Sequence, residues 1–90
     1  MSQRLCVSRF VVDTYFELDD ALVVFHPFIG KTYKLVGVSM EIFKCLLSTH
    51  LTAKKLIKSV SLHSRSFDRV QIHSTLQELR ALELIQIYKT

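Results

Sequence analysis

The chain has 90 residues, 49% of them hydrophobic and 22% charged, with a formal net charge of +4. That length holds one modest core and no second one, and the hydrophobic content excludes a disordered chain. No apolar run approaches the roughly 18–20 residues that cross a bilayer, and Leu5–Val12 is cut by Ser8 and Arg9 and lacks a signal-peptide pattern. In chain order, Met1–Arg9 reads as loose at its start, and Phe10-Val11-Val12 as an extended lead-in to a sheet. Three strands are predicted next, at Tyr15–Leu18, Ala21–His26 and Lys31–Leu35. Asp19-Asp20 marks the first turn. The second is Pro27–Gly30, where proline presets φ and glycine accepts positive φ. Within the third strand the side-chain period of two puts Tyr33 and Leu35 on one face, assigned inward, and Thr32 and Lys34 on the other.

Helices follow. Ile42, Phe43, Leu46 and Leu47 form an apolar stripe in a helix from about Gly37 to Ser48. Thr52 is the expected N-cap of a second helix, with Leu56, Ile57 and Val60 inward and Lys54, Lys55 and Lys58 facing water. His63–Ser66 reads as a polar linker. Asp68 caps a third helix whose stripe is Ile72, Leu76 and Leu79, flanked by Thr75 and Leu82, with His73, Ser74, Gln77 and Arg80 away from its centre. The alternating tail Leu84–Tyr88 is predicted as a short strand. A meander followed by three helices is an α+β arrangement, winged-helix-like, in a single domain.

No catalytic constellation emerges. His26, His50, His63 and His73 show no metal-ligand spacing and are each expected at the surface. Cys6 and Cys45 make no CxxC pair, Cys45 falls among apolar neighbours as a buried thiol, and a reducing, cytoplasmic setting is expected. Gly30 and Gly37 stand alone rather than in a phosphate loop, and no serine occupies a nucleophile elbow. Neither a catalytic residue nor a metal or cofactor is expected. Nucleic-acid binding is the rival reading for a winged helix. However, the third helix carries Arg69 and Arg80 against Asp68, Glu78 and Glu83, a poor footprint for DNA. A structural subunit of a larger complex is the other alternative.

The order Glu17–Phe25, Pro27–Gly30, Thr32–Leu35, Met40–Leu47 and Leu76–Ile85, with Thr52 opening the second helix, resembles the PqqD-like family, the RiPP recognition elements. The resemblance covers about residues 10–87 and is closest to stand-alone members encoded with HPr-kinase-like proteins or in lasso-peptide clusters. Two positions depart from it: Val36 stands where the family often has Asn, and Glu83 where it tends to have Gly. Glu83 implies a helix that runs on or ends less sharply. The resemblance implies a non-catalytic module that holds the leader of a precursor peptide for a modifying enzyme. The leader would add as a strand beside Lys31, Thr32, Tyr33, Lys34 and Leu35. Ile72, Thr75, Leu76, Leu79 and Arg80 of the third helix would form the other wall, Arg80 serving as a partner for an acidic leader residue. An unprotected sheet edge also invites a homodimer or domain swap.

Overall fold

The computed structural model describes residues 3–63 and 67–88. Its elements in chain order are β1 (Arg4–Val7), β2 (Tyr15–Glu17), β3 (Leu22–His26), β4 (Lys31–Leu35), α1 (Val38–Ser48), β5 (Leu51–Thr52), α2 (Ala53–His63), α3 (Arg69–Ala81) and β6 (Ile85–Ile87). They form two antiparallel sheets of three strands, ordered β2-β3-β4 and β5-β1-β6, with the three helices.

The β2-β3-β4 meander lies where its turn residues place it. Gly30 has φ 75° and donates its amide to the His26 carbonyl at 2.8 Å, closing the four-residue turn. Inward alternation also holds: Leu22 and Val24 are buried, Leu35 is buried, and Tyr33 is half-buried against the core. Gly37, φ 58°, turns the chain from β4 into α1. No side chain caps that helix start; instead the Ser39 hydroxyl donates to the Val36 carbonyl at 2.8 Å. The other two caps are as expected. Thr52 Oγ1 accepts from the Lys55 amide at 3.3 Å, and an Asp68 carboxylate oxygen accepts from the Gln71 amide at 2.7 Å.

The N-terminal segment holds a strand that the sequence reading did not assign. Arg4–Val7 is the central strand of the second sheet, with Leu5 opposite both Leu51 and Ile87, and Val7 opposite Ile85. Leu5, Cys6 and Val7 are all buried, so the strand shows no alternation to read. Phe10-Val11-Val12 is a turn rather than an extended lead-in, and Val11 drops into the core. The tail forms β6 as predicted. The expected linker at 63–66 starts on the last residue of α2, and residues 64–66 lie outside the described residues.

One apolar cluster joins both sheets to the helices. Leu5 and Val7 of β1 meet Leu22, Val24, Ile42, Phe43, Leu56, Val60, Ile72, Leu76 and Leu79 within it. Phe43 is fully buried and meets Tyr15 edge-on, with ring centroids 5.8 Å apart. Truncating such a side chain costs about 3–5 kcal/mol.

α3 ends sharply in spite of Glu83. Glu83 takes φ 62°, its amide reaches the Arg80 carbonyl at 3.0 Å, and the Leu84 amide reaches the Leu79 carbonyl at 3.1 Å. This is the Schellman ending that glycine usually supplies. The expectation of a longer or blunter helix is therefore wrong, because burying Leu84 and Ile85 requires the chain to turn there.

Candidate functional site: the outer edge of β4

β4 lies at the end of its sheet, and the hydrogen-bond phase of that sheet decides which of its backbone groups are satisfied. On the far side of β3, the Phe25 amide donates to the Thr14 carbonyl at 2.8 Å and the Leu18 amide to the Ala21 carbonyl at 2.8 Å. In an antiparallel ladder, successive residues direct their backbone groups to opposite sides. Phe25 and Val23 therefore serve β2, while Leu22, Val24 and His26 serve β4. The register pairs Leu22 with Leu35, Val24 with Tyr33 and His26 with Lys31. Lys31, Tyr33 and Leu35 thus bond inward to β3. The N–H and C=O groups of Thr32 and Lys34 point out of the sheet, with no backbone partner among the described residues.

Side chains around this edge divide by face. Thr32 and Lys34 are exposed on the outer face and Lys31 is exposed at the hairpin end. Tyr33 is half-buried on the inner face. Leu35 is only 4% exposed and belongs to the core, so it anchors the strand and presents no side chain to a guest.

Most of the α3 residues expected to line a wall are taken up by the core instead. Ile72, Leu76 and Leu79 are 0%, 3% and 2% exposed and lie in the core cluster. The apolar stripe of α3 is consumed by its packing on α1, α2 and β6. Thr75 is half-buried and Arg80 exposed. They are five positions apart, which at about 100° per residue sets them roughly 140° apart around the axis, so they do not share a wall. Arg80 lines a hollow of about 310 Å³ with Leu5, Thr52, Gln77 and Ile87, and a second of about 910 Å³ that includes Cys6, His26, Gln86 and Tyr88. Both hollows flank the β5-β1-β6 sheet and neither includes a residue of β4, so Arg80 does not face the β4 edge.

Aromatic groups missed in the sequence lie nearby. Phe16 and Phe25 are 57% and 42% exposed, and together with Val23 they make an apolar outer face on the same sheet. The alternation of Leu22, Val24 and His26 with Val23 and Phe25 carried that signal. At the hairpin end, Phe10 meets Phe28 edge-on at 4.5 Å, with the Arg9 guanidinium 5.0 Å from the Phe10 centroid. His26 is not a surface residue. It is 2% exposed, its Nδ1 accepts the Ile29 amide at 3.4 Å, and its ring lies 6.1 Å from Phe10. It is drawn inside because it shares the inward face of β3 with Leu22 and Val24. His50 and His73 are exposed as expected; His50 packs on Tyr88, and His73 Nε2 lies 3.3 Å from the Gln77 amide nitrogen.

Among the described residues no three His, Cys, Asp or Glu side chains gather as a metal site, and no helix is long and apolar enough to cross a membrane. Cys6 and Cys45 are free thiols. Burial pushes both up from the ordinary 9.0, against smaller opposing hydrogen bonds to Gln86 and Ser59 respectively.

The fold is similar to that of TbiB1. TbiB1 was solved in complex with the TbiA(beta) leader peptide, and the match has a TM-score of 0.73 at 21% identity, covering 94% of this chain and 99% of that one. No protein-family model matches the chain, and no curated protein does.

Proposed function

We propose that this chain is a peptide-binding module that takes an extended leader segment along β4 and presents it to a modifying enzyme, without catalysing the reaction itself. The observation that carries this reading is the outward direction of the Thr32 and Lys34 backbone groups on an uncovered edge. An added strand satisfies those groups, and its alternate side chains supply selection. The likeness to TbiB1, a protein solved with a leader peptide, supports the reading. So does the PqqD-like pattern of the sequence. In this reading Lys31, Thr32, Tyr33 and Lys34 form the docking strand and Thr75 belongs to the opposing helix flank. Leu35, Ile72, Leu76 and Leu79 hold the strand and helix in place from the core. The module is a single domain that works in the cytoplasm.

The test is titration with the leader of a precursor peptide encoded beside the gene, followed by amide NMR. The expected result is that the largest shifts fall on Thr32 and Lys34. Shifts confined to α2 and its lysines would refute strand addition. Tight, salt-sensitive binding to duplex DNA in a gel-shift assay would put the nucleic-acid reading in its place.

A further inference from the structure

Resting on that reading, we infer that the β4 edge selects a guest strand of one chemical pattern: a carboxylate, then a large apolar residue, then a β-branched residue, added antiparallel. Lys31 and Lys34 are both exposed, β4 contains no acid, and among the described residues no carboxylate forms an ion pair with either lysine. Glu17, the acid on β2, is engaged with Lys44 at 3.4 Å, and Asp19 and Asp20 belong to the turn between β2 and β3. The edge is therefore a strip of backbone donors and acceptors under uncompensated positive charge. Two copies joined edge to edge would line one seam with the lysines of both strands, the device by which sheet edges resist their own kind. An acidic strand meets no such opposition.

The register then fixes the order. In antiparallel addition, the guest residues opposite Thr32 and Lys34 complete the outward backbone bonds and share the outer face with them. Directly opposite residues hold their Cβ atoms about 4.5–5.5 Å apart, within reach of a lysine–carboxylate pair. The next guest residue lies opposite Tyr33 on the inner face, beside a half-buried ring packed against the core, and an apolar side chain fits there. The one after lies opposite Thr32, whose neighbour across β3 is the exposed Phe25. A β-branched residue suits that pleated, partly apolar surface.

The experiment selects 12-residue peptides from a displayed random library on the wild-type protein and, separately, on Lys34→Glu. Enriched peptides are then titrated into both proteins with amide NMR. The wild type is expected to enrich Asp or Glu immediately before a large apolar residue. Lys34→Glu is expected to replace that acid with Lys or Arg. A wild-type-selected peptide should bind Lys34→Glu about two- to tenfold more weakly, a ratio that collapses at high salt. Peptides that shift Thr32 and Lys34 but bind both proteins equally, or lack an enriched acid, overturn the pattern and leave strand addition standing. Peptides that leave the β4 amides unmoved, or a failure to enrich any peptide, overturn strand addition and the pattern with it.

Discussion

The amide of Leu84 donates to the carbonyl of Leu79 at 3.1 Å across the end of α3, and the bond exists because Glu83 between them holds φ at 62°. A side chain in the left-handed region costs about 1–2 kcal/mol, and glycine escapes most of that cost while losing some through its freer unfolded chain. Glu83→Gly is expected to stabilise the protein by about 0.5–1 kcal/mol, raising Tm by roughly 2–8 °C. Chemical and thermal denaturation measure this directly. A neutral or destabilised variant would show that the Glu83 side chain makes compensating contacts.

The polarity of β4 separates two proline variants. Lys34→Pro removes an amide that points out of the sheet, so the protein should still fold, at a cost near 1 kcal/mol for the altered φ. Peptide binding along the edge should be lost. Tyr33→Pro removes an amide bonded to Val24 and should cost about 3 kcal/mol or more. Denaturation curves and amide spectra of the two variants check the phase assignment. Equal damage from both would contradict it.

Phe10 and Phe28 tie the β1–β2 connection to the β3–β4 hairpin by an edge-on contact at 4.5 Å, although Phe28 is 76% exposed. A double-mutant cycle of Phe10→Ala and Phe28→Ala should return a coupling of about 0.5–1.5 kcal/mol. Additive losses would mean that the rings are neighbours without mutual stabilisation.

Burial raises the thiols of Cys6 and Cys45 above 9.0, so between 9.0 and their native values the folded protein holds protons that the unfolded chain releases. The associated stability is fully present below pH 9 and is lost as pH rises above it. Stability measured from pH 8 to 10.5 should fall less steeply in the Cys6→Ala, Cys45→Ala variant than in the wild type. Alkylation of the native thiols at pH 8 should be slow and should accelerate in denaturant. Rapid native alkylation would contradict their desolvation.

Asp68→Ala should lose about 1 kcal/mol of stability by removing the acceptor for the Gln71 amide, while leaving any β4-directed binding unchanged in the folded protein. Parallel denaturation and peptide titration separate the two effects.

Local chemistry in the sequence was enough to place the meander, the turn at Pro27–Gly30, the caps at Thr52 and Asp68, and the inward set of α3, because each depends on neighbours only a few residues away. Tertiary structure alone decided the rest. Arg4–Val7 became a central strand through β5 and β6, some 45 and 80 positions along the chain, and burial on both faces erased the alternation that would have revealed it. His26 went inside with its strand face, and Arg80 turned toward the second sheet. The outward amides of Thr32 and Lys34 follow from the bonds that β3 makes on its opposite side. Side-chain alternation marks two faces of a strand, but the direction of its backbone groups is set only when a partner strand takes its register.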